Sequence, residues 1–138
     1  MVTAIDKIAE YIRENPKTKL VFSRIPIQEL EYIDMGYALS CFLSDQGVDS
    51  SNVLQNIDRI IQSHQHPRIG KYLAIQNISI LFEPELRINL RMLVESLSRT
   101  QTLILTSPAS VSNHTFHFSS EEEEPSFSLE GINYLVTE

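Results

Sequence analysis

The sequence has one cysteine, Cys41, and no tryptophan among its 138 residues. A single thiol cannot form an internal disulfide, so we expect a reducing compartment, with the cytoplasm as the default. No apolar run approaches the roughly 18 residues that a membrane-spanning helix needs. The first 15 residues carry charges throughout and lack the continuous apolar segment of a signal peptide. The sequence therefore predicts a protein that does not bind membranes.

Basic residues are few and scattered. The chain has 11 lysines and arginines against 18 aspartates and glutamates, which gives a net charge of −7, and no three basic residues are consecutive. Binding to the phosphates of DNA or RNA depends on clustered Lys and Arg, because those contacts release counterions. Direct nucleic-acid binding is therefore disfavoured, whereas the negative charge suits docking on a basic protein partner.

Glycine is also scarce, with only Gly36, Gly47, Gly70 and Gly131, all far apart. A phosphate-binding loop needs closely spaced glycines so that backbone N–H groups can approach the phosphates, together with a lysine and a hydroxyl. None of the four glycines belongs to such a motif or to a dinucleotide-binding fingerprint. We therefore expect no nucleotide cofactor and no catalytic group built on one.

The residues that are present alternate between helical periodicity and short apolar runs. Together they predict one α/β domain over 1–138, with a three-layer arrangement and a mostly parallel sheet flanked by helices. The expected helices are 3–14, an apolar stripe over 27–43 that is interrupted at Gly36, a third helix from about 50 to 61, and 87–99. The expected strands are 19–25, 71–76, 102–106 and 132–136, with a polar loop at 64–70 and an ambiguous stretch at 77–86. Cys41 lies in the apolar stripe and is expected to be a small core residue.

Histidines and carboxylates offer one alternative with chemistry. His64 and His66 form one spaced pair and His114 and His117 another, and either pair could supply two ligands to a metal. Glu83 and Glu85 flank Pro84 and could act as paired carboxylates in acid–base or metal chemistry. A small metal-dependent hydrolase or nuclease that uses Glu83 and Glu85 with a loop histidine is therefore the second hypothesis. Solvated loop histidines, and carboxylates placed at a helix N-terminus, explain the same residues without a site, so no metal is expected.

An acidic run offers a third hypothesis. Glu121, Glu122, Glu123 and Glu124 are consecutive. Such a run is usually a solvated loop, because like charges repel. It could also dock on a basic surface, or mimic nucleic acid in an inhibitor protein.

The second half of the chain contains the segments YLAIQNISILFEPEL, LVESLSRTQTLILTSP and FHFSSEEEEPSFSLEGINYLV. In these segments it resembles the small P-loop protein of bacteriophage-exclusion (BREX) phage-defence systems. The matching residues are Asn77, Ile78, Leu81, Phe82, Glu83, Pro84, Leu86, Leu97, Ser98, Arg99 and Thr102. The resemblance implies a P-loop-NTPase-like fold.

The departures from that family concern the nucleotide site. Gln76 stands at the strand end where the family has its magnesium-organising aspartate, and a neutral amide lacks the charge that Mg²⁺ prefers. The first half of the chain has no phosphate loop. The resemblance therefore implies a degenerate, nucleotide-free relative of the P-loop fold.

The leading hypothesis is thus a non-enzymatic protein-interaction subunit of a bacterial multi-protein system, with partner proteins unidentified and a homo-oligomer left open. Its expected interaction residues are Glu83, Glu85, Arg99, Glu121, Glu122, Glu123 and Glu124.

Overall fold

The computed structural model describes residues 3–46, 62–78, 89–107, 110–112, 115–117 and 126–137. Within these ranges the helices are α1 (Ala4–Glu14), α2 (Met35–Gln46) and α3 (Leu90–Thr100). The strands are β1 (Leu20–Ser23), β2 (Tyr32–Asp34), β3 (His64–His66), β4 (Gly70–Gln76), β5 (Thr102–Thr106), β6 (Ser110–Ser112), β7 (Thr115–His117), β8 (Ser126–Ser128) and β9 (Leu135–Thr137).

Most of the strands form one parallel sheet. Its order is β2-β4-β5-β1-β9, and every neighbouring pair in this order is parallel. β3 pairs antiparallel with the beginning of β4 and lies on the same side of β4 as β2. A separate antiparallel sheet has the order β6-β7-β8. The predicted α/β class, with a mostly parallel sheet flanked by helices, is confirmed.

Helix α1 covers one face of the large sheet, which we call the α1 face. Its buried residues Ile5 and Ile8 belong to one core cluster with Val21, Ala74 and Ile104 of the three central strands. These three strand residues are fully buried and lie in one row of the sheet. An apolar cluster on this scale supplies the main stabilisation of the layer, at about 25 cal/mol for each Å² of apolar surface removed from water.

The opposite face, the α3 face, packs against α2, α3 and the small sheet. The strand residues between those of the α1 face point to this side, since side chains alternate along a strand. The buried members of this core are Leu20, Phe22, Met35, Leu39, Leu73, Ile75, Ile78, Leu93, Val94, Leu97, Leu103, Leu105, Phe116, Leu129 and Ile132. The Phe22 and Phe116 rings stack with their centroids 5.2 Å apart, which joins the small sheet to the large one.

Helix α1 begins with a capping box. The Thr3 hydroxyl accepts a hydrogen bond from the Asp6 N–H, and the Asp6 carboxylate accepts one from the Thr3 N–H. The helix ends where the Asn15 N–H donates to the Tyr11 and Ile12 carbonyls, just before Pro16. The predicted helix over 3–14 is confirmed, and so are the strands predicted near 19–25, 71–76 and 102–106.

The helix predicted over 27–43 is wrong for its first eight residues, 27–34. Residues 24–31 form an extended connection with turns, β2 follows, and α2 begins only at Met35. Ile27 and Leu30 are buried against the α1 face, so their three-residue spacing reflects a turn that covers the core rather than a helix. Tertiary contacts have overridden the local periodicity.

Two smaller corrections concern α2 and β3. Cys41 is exposed, not part of the core, because α2 buries Met35 and Leu39 and turns Cys41 outward. His64 and His66 belong to a strand that forms a hairpin with β4, where a loop was expected. Gly70 adopts a positive φ of 71° at the end of that turn, a conformation that glycine adopts more readily than other residues.

Two further predicted elements are present with different bounds, whereas the three strands of the small sheet were not predicted. The helix predicted at 87–99 is α3, which starts at Leu90 because the Asn89 side chain caps it by accepting the Met92 N–H. The final strand is shorter and later than predicted, at Leu135–Thr137. The third helix predicted near 50–61 lies outside the described residues, as does most of the ambiguous stretch 77–86.

The capping box predicts a specific acid sensitivity. Hydrogen bonds from the Thr3 N–H and from the Arg68 guanidinium lower the pKa of Asp6 from 3.8 to about 2. Between these two pH values the unfolded chain binds more protons at this site than the folded chain, so acid favours unfolding. The stabilisation is complete above pH 3.8 and is lost as the pH falls towards about 2.

We expect Asp6→Asn to make the urea midpoint less dependent on pH across this window, because it removes the group that titrates. Lys7→Gln, which also changes the net charge by one unit next to the cap, should retain the parent's dependence. An Asp6→Asn variant with the parent's full loss of stability in acid would contradict this account.

Candidate functional site

The five parallel strands end in one row of polar residues. Ser23 is the register partner of both Thr106 and Thr137, and Asp34 is the partner of Gln76. The pairing of β4 with β5 places Gln76 beside Thr106, so the row is continuous across the sheet. In open α/β sheets ligands bind outside the carboxyl ends of the strands, so this polar row is the candidate site.

The three hydroxyls of the polar row are buried and hold neighbouring segments in place. The Ser23 Oγ donates to the Ile25 carbonyl at 2.5 Å, and the Thr137 Oγ1 donates to the Phe22 carbonyl at 3.4 Å. The Thr106 Oγ1 is hydrogen-bonded to the Tyr32 hydroxyl at 2.8 Å. All three hydroxyls are therefore used in hydrogen bonds within the chain. The Ser23 and Thr137 hydroxyls can still accept hydrogen bonds from a ligand, but their O–H groups are not free to donate.

The carboxylate of the polar row, Asp34, is held by α2 and by β4. Its Oδ1 accepts hydrogen bonds from the Tyr37 N–H at 2.9 Å and from the Asn77 side-chain amide at 2.8 Å. These bonds, with the Tyr37 N–H as the largest cause, lower the pKa of Asp34 below its usual value. Asp34 thus caps α2 and links its first turn to the end of β4.

This linkage fixes two backbone positions. Asn77 has a positive φ of 55°, a conformation that Asn tolerates better than most residues. A methyl group on Gly36 would overlap the Asn77 side-chain amide. The contact between Gly36 and Asn77 therefore requires glycine at the start of α2.

Gln76, predicted at a strand end, lies there and is half-buried. Its register partner on the neighbouring strand is Asp34, an acid that the sequence analysis did not select. The sequence signal that could have identified Asp34 is its type and place, since an Asp immediately before a helix is the pattern of an N-terminal cap. The structure assigns that capping role to Asp34.

A second hydroxyl lies at the end of β5. The Ser107 N–H donates to the Ser23 carbonyl at 3.1 Å and so continues the pairing of β5 with β1. The Ser107 Oγ is buried and has no hydrogen-bond partner in the part of the chain that the structure describes.

A cleft of about 340 Å³ opens beside the polar row on the α1 face. One wall is the beginning of α1 (residues 3–5), and the other is the segment 25–29. Ser23 and Thr137 lie between the two walls. Of the described residues that line the cleft none is basic, and the charged one is Glu29. Ile25 remains 64% exposed at this cleft.

The predicted interaction residues fall into two groups. Arg99 is exposed near the end of α3, where its Nη2 lies 3.2 Å from the Glu95 Oε1. Since α3 leads directly into β5, Arg99 lies at the amino edge of the sheet, away from the polar row. The other predicted residues, Glu83, Glu85 and Glu121–Glu124, lie outside the described residues.

The histidines of β3 also lie away from the polar row. The His64 Nδ1 is 2.9 Å from the Glu31 Oε2, and the His66 Nδ1 accepts a hydrogen bond from the Arg68 N–H. Both histidines pair with the first residues of β4, at the amino half of that strand. No group of three or more His, Cys, Asp or Glu that could hold a metal occurs within the described ranges. His114 lies outside them.

No protein-family model, curated protein sequence or solved structure matches the chain significantly. Among the helices that the structure describes, none has the length and apolar character to cross a membrane.

The Gly36–Asn77 contact yields a double-mutant prediction. Gly36→Ala should lower the urea midpoint, because the new methyl group displaces the Asn77 amide from Asp34. Asn77→Gly removes that amide and suits the positive φ. In the Asn77→Gly background, Gly36→Ala should be neutral or slightly stabilising, since alanine is the better helix former. Urea unfolding of the parent, both single variants and the double variant measures the coupling. An equal cost of Gly36→Ala in both backgrounds would show that the contact is unimportant.

Proposed function

We propose that this chain is a non-enzymatic protein-interaction subunit of a bacterial, phage-defence-like multi-protein system, with a degenerate P-loop-like fold that holds no nucleotide. The resemblance of the second half to the small P-loop protein of BREX systems motivates the choice of system. The use of the polar row by the fold itself supports the non-enzymatic role.

The polar row carries the proposal. In a catalytic α/β domain, side chains at the carboxyl ends of the strands converge on a ligand. Here the Ser23, Thr106 and Thr137 hydroxyls are bonded to groups of the chain itself, and Asp34 caps α2. Each group thereby fixes a neighbouring segment.

The connection after β1 supports the same view. In P-loop proteins, a strand leads through a glycine-rich loop into a helix whose N-terminus faces the phosphates. Here β1 leads into residues 24–31, which contain Pro26 and no glycine and end in β2 rather than in a helix. At the end of β4, Gln76 has no charge to organise Mg²⁺.

The edge of the sheet at β9 offers the surface for partners. β9 ends the strand order and pairs with β1 alone among the described strands. Val136, in its middle, is 45% exposed. An edge strand leaves alternate backbone N–H and C=O groups free to bond another chain, which is a common mode of protein recognition. We therefore place the main partner contact along β9.

Co-purification from the native host tests the proposed function. We expect the tagged parent chain to retain products of neighbouring genes, and Val136→Lys to lose them, because a lysine on an edge strand opposes strand addition. Tyr37→Lys is the matched control. Tyr37 is 73% exposed on α2, beside the opposite edge of the sheet, and this variant should keep the partners.

Circular dichroism of the three proteins checks that each variant is folded. A parent chain that purifies alone, or a folded Val136→Lys variant that keeps every partner, would contradict the proposal.

A further inference from the structure

We propose that the cleft beside β9 receives a lysine or arginine side chain from a basic, extended segment of a partner protein whose backbone adds to β9. This inference rests on the proposed function and specifies the chemistry of the partner.

The polar groups of the cleft call for a ligand that brings hydrogen-bond donors. The Ser23 and Thr137 hydroxyls already donate to the Ile25 and Phe22 carbonyls, so they present their lone pairs to an occupant. Glu29 adds a carboxylate, and none of the lining residues that the structure describes is basic. At these side chains a phosphate or a carboxylate would meet acceptors, whereas an ammonium or guanidinium group would meet complementary partners. The net charge of −7 also favours a positively charged partner.

The walls of the cleft suit the aliphatic part of such a side chain. Ala4 and Ile5 lie on one side, and Ile25, Pro26 and Ile27 lie on the other. Lysine and arginine pack their methylene groups along apolar surface while the charged end reaches polar groups. The volume of about 340 Å³ is at the small end of the roughly 300–1,000 Å³ of small-molecule sites. A side chain of a docked segment fits this space better than a large cofactor.

The N-terminus of α1 is partly occupied by its own capping box. A helix N-terminus carries a partial positive charge and free N–H groups. Here the Thr3 hydroxyl accepts a hydrogen bond from the Asp6 N–H, and the Asp6 carboxylate accepts one from the Thr3 N–H. The Asp6 carboxylate also accepts a hydrogen bond from the Arg68 guanidinium. The capping box therefore occupies two of the N–H groups at this end of the helix, those of Thr3 and Asp6.

Thr137 connects the cleft with the sheet edge. It is the last residue of β9, and its side chain lines the cleft on the α1 face. In a strand added to β9, the residue directly opposite Thr137 projects to the same face of the sheet, with the two Cβ atoms about 5 Å apart. The side chain of that residue would therefore lie at the opening of the cleft. A basic residue at this one position, with small or β-branched neighbours, is the recognition pattern that the geometry predicts.

Titration of the ¹⁵N-labelled chain with synthetic peptides tests this inference by nuclear magnetic resonance. The probes are acetyl-Thr-Val-Arg-Val-Thr-amide and the same peptide with neutral citrulline in place of arginine. We expect the arginine peptide to bind about fivefold more tightly, the scale of one partly exposed ion pair. Its largest amide shifts should lie at Ser23, Glu29 and Thr137.

Two variants of the chain make the result specific. Glu29→Gln should reduce the preference for arginine over citrulline, while Glu10→Gln, on the exposed part of α1 outside the cleft, should leave it unchanged. Equal affinities for the two peptides, shifts confined to other residues, or no binding of either peptide up to about 5 mM would overturn the inference. The proposed function fails separately, since the co-purification of partners and its loss in Val136→Lys do not depend on which peptide binds.

Discussion

The segment of residues 24–31 lies on the α1 face of the sheet in a place where α/β domains commonly have a helix, and two tyrosines of the sheet hold it there. The Tyr32 hydroxyl accepts the Ile27 N–H at 3.0 Å and contacts Thr106, and the Tyr72 hydroxyl accepts the Glu31 N–H at 2.9 Å. These bonds satisfy backbone groups that a helix would have satisfied internally. They also let Ile27 and Leu30 cover the central strands, so this layer of the core depends on them.

The same arrangement shapes the carboxyl edge of the sheet. The connection after β1 crosses the α1 face without a helix, and a cleft remains between residues 25–29 and the start of α1. At the beginning of this connection the Ser23 hydroxyl donates a hydrogen bond to the Ile25 carbonyl. At the other end of the polar row, Asp34 and Asn77 join α2 to β4. Polar groups in the position of an α/β active site thus act as structural ties. This is the physical basis for proposing a binding protein in place of an enzyme.

The sequence predicted the elements whose signals are local. Helix α1 has both a capping residue and an apolar stripe, and the strands β4 and β5 are short apolar runs, so their positions followed from pattern. The stripe over 27–43 misled because Ile27 and Leu30 are spaced for a helix, whereas the backbone of this segment is held by two tyrosine hydroxyls. One of them, that of Tyr72, is 41 residues from its partner Glu31. The polar row was not predictable, since it depends on the register of five strands. Cys41 looked like a core residue because its exposure depends on which side of α2 meets the sheet.

Isothermal titration calorimetry with ATP and Mg²⁺ is the most direct test of the claim that the carboxyl edge serves the fold and not a nucleotide. The account predicts no binding tighter than about 100 μM, which corresponds to about −5.5 kcal/mol. Saturable binding of one nucleotide below that concentration, weakened by Gln76→Ala but not by the distant Arg99→Ala, would contradict it.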